Sequence, residues 1–258
     1  MIHPPGSTGA VDQAPSGRTR NEIDHGRKLA AGDTEAIWGW TTPAGRIRAR
    51  RRAEMIIRGA GLRPGVQALE LGCGTGLFTE LFAQTGAHIT AVDISPDLLD
   101  RARRKQLPAD RVTFVQARFE DCDRLGPFNA VVGSSVLHHL EVQESIEKIF
   151  TLLRPGGVLS FAEPNMLNPQ AYLERRFHNL PMFSYVSPDE TAFVRWKLKG
   201  LLESVGFVDV RITPHDWLHP ATPRPLIGTV KALGSVLEWA PLIREFAGSH
   251  FIYGRRPD

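Results

Sequence analysis

Apolar positions change period several times along this chain, and the changes mark its elements. Val66 to Leu71 is a short, nearly continuous apolar run that reads as a buried strand, whereas Leu77 to Ala83 sets Leu77, Phe78, Leu81 and Phe82 at helical spacing. His88 to Val92 predicts a second strand, ending at Asp93. Ser95-Pro96-Asp97 opens a helix with proline at its first position and an acid in its first turn. Further strands are expected over Arg111 to Gln116, Phe128 to Val132 and Val158 to Ala162. A helix from Val142 to Leu153 is stopped by Arg154-Pro155-Gly156-Gly157. Strands alternating with helices of this length predict a parallel sheet covered on both faces. The binding crevice of such a sheet lies beyond the carboxyl ends of its strands.

The flanks differ. Residues 1–20, rich in proline, glycine and small polar residues, read as a disordered tail. Ile47 to Ile57 predicts a helix ended by Gly59 and Gly61. Later come a helical piece around Gln170–Phe177, a helix from Pro188 to Val205, a strand over Phe207 to Ile212 and a short last strand over His250 to Tyr253. Leu226, Ile227, Val230, Leu233, Val236 and Leu237 form one helical apolar stripe, with core packing as the default and a lid or membrane-surface contact as alternatives. The expected organisation is one α/β domain over 21–258, with cap elements around 21–45, 165–187 and 214–248.

Composition narrows the function classes. The 258 residues carry 31 Lys+Arg against 28 Asp+Glu, and a net charge of +3 is too small to indicate nucleic acid. The basic excess is local: residues 1–65 hold 11 basic and 6 acidic side chains, among them Arg46, Arg48, Arg50, Arg51 and Arg52. A solvated helix face is the expected role of that run, and attraction of an anionic substrate or phosphate surface the alternative. Two cysteines and scattered histidines supply no disulfide framework and no four-ligand zinc site, so no metal is expected. No uncharged apolar run reaches about 18 residues, and the first residues lack the apolar core of a secretion signal. A reduced, soluble, cytoplasmic protein is expected.

The chemistry concentrates in Glu70-Leu71-Gly72-Cys73-Gly74-Thr75-Gly76, between a strand and a helix. Glycines permit a sharp turn and close approach of a ligand, and leave amide groups at a helix N-terminus. The dinucleotide fingerprint fails here, because Leu77 or Thr79 stands where its third glycine belongs. The acid instead precedes the loop, where it can accept a hydrogen bond from an ammonium group. Asp93, 17 residues after Gly76, ends its strand where an acid can hold both ribose hydroxyls; the alternative is a helix cap, which Ser95 can itself supply. Cys73 reads as a small buried filler of the loop.

Ala68 to Gly76, then Ala91-Val92-Asp93-Ile94-Ser95, Phe128 to Val132, Leu137-His138-His139-Leu140 and Leu153 to Gly157 together resemble the class I S-adenosylmethionine-dependent methyltransferases. The resemblance implies a Rossmann-like, seven-stranded, mostly parallel sheet with helices on both faces and added caps. It implies S-adenosylmethionine as cofactor, with Glu70, Gly72 and Gly76 lining its methionine part, Gly74 shaping the turn, Cys73 within the cofactor-binding loop and Asp93 on the ribose. Ile94, Arg118 and Phe119 would lie near the adenine, and Ser134 near the methyl group. One departure stands out: Arg118 occupies a position where many relatives carry an adenine-contacting Asp, with Glu120 or Asp121 as stand-ins.

His138 and His139 follow the fourth strand, where one of them can serve as a base; the alternative is structural, with His139 the expected structural partner. Glu163 and Asn165 end the fifth strand, either touching substrate or turning the chain. Trp38 and Trp40 either wall the site or anchor their segment. His178, His215 and His219 are expected at the surface. The favoured function is methyl transfer to a small-molecule acceptor, oxygen before carbon. Methylation of RNA or protein and non-catalytic cofactor binding are the alternatives. No Asp/Asn-Pro-Pro-Tyr/Phe tetrapeptide follows strand four and no Pro-Cys pair is present, so nucleic acid is not the expected partner.

Overall fold

The computed structural model describes residues 17–177 and 192–258. Seven strands form one sheet in the order β3-β2-β1-β4-β5-β7-β6. They are β1 (Gln67–Leu71), β2 (His88–Asp93), β3 (Val112–Gln116), β4 (Phe128–Ser134), β5 (Leu153–Pro164), β6 (Val208–His215) and β7 (Ser249–Arg255). β1 to β5 run parallel, and β7 is antiparallel to both β5 and β6. The order reverses at β1, between β2 and β4. Ligands bind at such a switch point because the connections diverge there and leave a crevice.

Helices α1 (Gly17–Ala30), α2 (Thr34–Ile37), α3 (Pro43–Ala60), α4 (Leu77–Ala83) and α5 (Pro96–Arg104) precede β3; α6 (Val142–Leu152), α7 (Pro169–Arg176), α8 (Arg195–Val205) and α9 (Ile227–Leu237) follow β4. Burial on both faces explains the apolar strands: Leu69, Leu71, Val131 and Leu159 enter one core, Ala68, Ala91, Ala130 and Val132 the other. Among the described residues no helix is long and apolar enough to cross a membrane.

Several boundaries depart from expectation. α1 starts at Gly17, inside the segment expected to be a tail, whose residues 1–16 lie outside the described residues. α3 does not stop at Gly59 but runs to a left-handed Gly61 (φ 60°). A Cβ on Gly59 would sit 2.5 Å from Ser160 Oγ and 2.7 Å from Phe251, so glycine there lets the helix press onto β5 and β7. Arg154 to Gly157 does not separate helix from strand; β5 begins at Leu153, directly after α6. α8 begins at Arg195, because Phe193 is buried and its backbone is tied to Pro164 and Met166. Positions 188–191 of the predicted helix, and His178, lie outside the described residues.

The apolar stripe is not core. In α9 only Ile227 and Gly234 are buried, while Leu226, Leu233 and Val236 are exposed. The stripe has the right period, but the helix lies across the cap, where only one edge meets Leu218 and Ala44.

Candidate active site

A cleft of about 1090 Å³ opens above the carboxyl ends of β1, β2 and β4. Its floor is the turn after β1. Gly72, Gly74 and Gly76 have φ of 61°, 53° and 77°, a left-handed region that side chains resist. A Cβ on Gly72 would fall 2.4 Å from Val136 Cγ2, and one on Gly74 3.0 Å from Trp38 Cη2. Space above Gly74 is thus bounded by one aromatic edge. The loop's amides are partly spent within the fold: Cys73 N–H donates to Val92 O (3.1 Å), Gly74 N–H to Asp93 Oδ2 (2.7 Å) and Gly76 N–H to Cys73 O (2.9 Å). The expectation of freely pointing amides fails for those three.

Asp93 is 8% exposed and lines the cleft, with its other oxygen accepting from Ser95 N (2.8 Å). Each carboxylate oxygen retains a lone pair for a hydroxyl donor. Ser95 caps α5 by accepting from Leu98 N, so Asp93 is not needed as that cap. Burial pushes the Asp93 pKa up, and the two amide hydrogen bonds pull it back. Glu70 lies beneath the loop, 2% exposed, and Oε2 has no hydrogen-bond partner. Burial raises its pKa to about 8. Glu70 and Gly76 do not line the cleft, whereas Gly72, Cys73, Gly74, Ile94, Arg118, Phe119 and Ser134 do. Arg118 is turned toward Glu120 (3.5 Å) and Asp121 (3.8 Å), and of these two acids Glu120 reaches the cleft. Cys73 is buried, which raises its thiol pKa well above the ordinary value.

Both tryptophans stand on the wall. Glu35, at the start of α2, accepts from Thr75 Oγ1 (2.9 Å) and pairs with Lys105 (3.2 Å), which draws the N-terminal segment onto the loop. Trp40 packs edge-on against Phe78, with Arg48 and Arg52 each 5.4 Å from its ring centre.

His138, not His139, is the buried one, with Nδ1 2.7 Å from Glu163 Oε2. Glu163 is fully buried, and its Oε1 accepts from Val136 N (2.9 Å) and Leu137 N (3.0 Å). Burial alone would raise the Glu163 pKa, but the His138 hydrogen bond and charge, with the two amides, hold it below the ordinary carboxylate value. An ionised acceptor at Oε2 requires Nδ1 to carry the hydrogen, which makes Nε2 the basic nitrogen. His138 lines the cleft; His139 lies 3.1 Å from Glu22. Glu163 and Asn165 do not face the crevice as expected. Asn165 is fully buried, donating to Glu245 O and Ala247 O, both 2.7 Å. The strand alternation that points Pro164 to the cleft turns its two neighbours inward.

The arginine run is only in part a solvated face. Arg46, Arg50 and Arg51 are exposed, but Arg48 and Arg52 line the cleft. Arg52 is 4% exposed and donates to Ser135 Oγ (2.7 Å), Ser134 Oγ (3.3 Å) and Ser249 Oγ (2.6 Å). His215 is buried rather than at the surface, and burial lowers its pKa to about 3; His219 is exposed at the rim of the cleft.

A family model described as a methyltransferase domain matches residues 68–157. An uncharacterized methyltransferase of Synechocystis is 31% identical over 164 residues, 61% of this chain and 74% of that protein. Nodulation protein S of Rhizobium tropici is 28% identical over 150 residues; the match takes in 57% of this chain and spans 61% of that protein's length. Among solved structures, the N-methyltransferase NodS from Bradyrhizobium japonicum superposes with a TM-score of 0.63 at 17% identity, covering 92% of this chain and all of that one. The strand order, the glycine turn with its crowding residues, the orphaned Glu70 oxygen and these matches converge: the chain belongs to the class I S-adenosylmethionine-dependent methyltransferases.

Proposed function

We propose that this chain methylates a small-molecule acceptor at a hydroxyl oxygen, with His138 as the base that takes the proton. The observation that carries the reading is the buried His138–Glu163 pair, whose imidazole lines the cleft. S-adenosylmethionine, when bound, supplies a methyl group on a cationic sulfur that is already a good leaving group. The chain's own task is therefore to align the acceptor, exclude water and accept a proton.

The residues present fit that cofactor. The turn at Gly72 and Gly74 admits a ligand where a Cβ has no room, Asp93 keeps acceptor capacity for ribose hydroxyls, and Ile94 with Phe119 offers apolar surface to a purine. Glu70 does not line the cleft, but its unsatisfied carboxyl oxygen beneath the turn would be the acceptor for the cofactor's ammonium group. Trp38 and Trp40 close the cleft from the N-terminal side, and Trp217 with His219 from the other cap. A cleft walled this way suits a small acceptor better than a polymer.

A second reading keeps the same base but takes an amine, which must also lose a proton before attack; the likeness to the N-methyltransferase NodS favours it. Incubation with methyl-labelled S-adenosylmethionine and paired phenol and amine acceptors separates the two. The oxygen reading predicts an O-methyl product and a loss of about 10²–10⁴ in kcat for His138→Ala, with cofactor affinity retained. An N-methyl product, or full activity in His138→Ala, overturns it.

A further inference from the structure

Beside the His138–Glu163 pair lies a charge arrangement that methyl transfer itself does not require. Arg48 spends its guanidinium on Asp216, with Nε and a terminal nitrogen both 2.8 Å from Oδ2. Arg52 is 4.0 Å from that same oxygen, and its hydrogen bonds go instead to three neutral serine hydroxyls. Its Nε has no partner. Among the described residues Arg52 thus has no carboxylate within hydrogen-bonding distance, and all three of its hydrogen bonds end on neutral hydroxyls.

Other charged groups nearby have their hydrogen bonds engaged elsewhere. Arg51 is bound through both terminal nitrogens to Glu238 (2.8 and 2.6 Å). Glu163 is engaged by Val136, Leu137 and His138, and burial keeps His215 neutral. A buried guanidinium with no hydrogen-bonded carboxylate and one unpartnered N–H is costly, so its persistence points to a ligand that completes it. The hydroxyls give the direction. Ser134, Ser135 and Ser249 each accept from Arg52, which leaves each O–H proton to donate elsewhere, and all three line the cleft. Three hydroxyl donors around a guanidinium that has no hydrogen-bonded carboxylate form a site for oxygen anions.

We propose that Arg52, with Ser134, Ser135 and Ser249, anchors a carboxylate carried by the acceptor. This rests on the methyltransferase reading above and adds the substrate class: the acceptor bears a carboxylate, held beside His138. Asp216, at φ 80°, fixes Arg48 and leaves Arg52 to the ligand. The Trp40 ring under both guanidiniums gives the acceptor's body an apolar wall.

The test is calorimetric titration of the full chain, loaded with S-adenosylhomocysteine, by benzoate, benzamide and phenylphosphonate. Benzoate should bind about tenfold more tightly than benzamide, the effect of one charge-assisted hydrogen-bonded contact, and Arg52→Met should erase the difference. If Arg52→Met fails to fold by circular dichroism, Ser135→Ala carries the test: it keeps every charge and should weaken benzoate about fivefold while leaving benzamide unchanged. Equal binding of benzoate and benzamide, or binding of neither, overturns the proposal. Tighter binding of phenylphosphonate than benzoate overturns the carboxylate assignment. Loading with S-adenosylhomocysteine gives its own heat, so a chain that loads but shows no carboxylate preference fails this inference alone. A chain that does not load fails the methyltransferase reading.

Discussion

Glu70 makes the cofactor site measurable through stability alone. It is 2% exposed, and burial lifts its pKa from 4.5 to about 8. Between those values the folded chain keeps a proton that the unfolded chain has released, so stability falls as pH rises through that window. At about 1.36 kcal/mol per pH unit the full cost is about 5 kcal/mol, reached above pH 8. That is a large share of a typical domain stability of roughly 5–15 kcal/mol. Glu70→Gln keeps the shape and cannot ionise, so it removes the slope. Urea unfolding of both proteins without ligand, near pH 5.5, 7 and 8.5, reads the difference, in which titrating groups not coupled to Glu70 cancel. The glutamine variant should be favoured by about 1.4 kcal/mol at the lowest pH and by about 3 kcal/mol more at the highest. Parallel stability curves would refute the argument, as would a wild type that gains on the variant with rising pH. The ammonium group of S-adenosylmethionine favours the ionised form, so binding near neutral pH should release a proton, seen as a heat that varies with buffer ionisation enthalpy.

Gly72→Ala should destabilise the fold by about 1–3 kcal/mol, since its Cβ meets Val136 2.4 Å away at a φ of 61°; a melting temperature equal to wild type contradicts the turn geometry. Trp38→Ala should weaken S-adenosylhomocysteine binding about tenfold without moving the melting temperature far, and unchanged affinity would remove Trp38 from the wall. Because its partners hold Glu163 below the ordinary carboxylate value, it stabilises the fold above that value, and the stabilisation is lost as pH falls through the folded pKa. Glu163→Gln should therefore flatten the acid limb of the stability profile. It should also lower kcat about tenfold with KM nearly unchanged, because Nδ1 of His138 loses its anionic partner.

The parallel sheet was legible because burial on both faces writes itself as short apolar runs, and β1, α4, β2 and the Ser95 cap of α5 fall within a residue of where the pattern puts them. What stayed hidden depends on direction rather than period. The stripe on α9 has the spacing of a core helix, yet its surroundings leave most of it exposed. Of two adjacent histidines, only the third dimension shows that the first meets Glu163, 25 residues away. Arg52 reads as one charge in a basic run, but the i and i+4 spacing of Arg48 and Arg52 puts both on the side of α3 facing the cleft. Ser135, Ser249 and Asp216 carried no signal at all, being single polar residues brought together from three separate segments.

Calorimetric binding of S-adenosylmethionine and S-adenosylhomocysteine, with Asp93→Ala as the paired variant, tests the central claim most directly. Asp93 accepts from the turn and, in this account, from the ribose; hydrogen bonds to a charged acceptor are worth roughly 1.5–3 kcal/mol each. The account predicts one-to-one binding by the wild type and a loss of at least about tenfold in the variant. No binding by the wild type, or equal affinity in the two proteins, contradicts it.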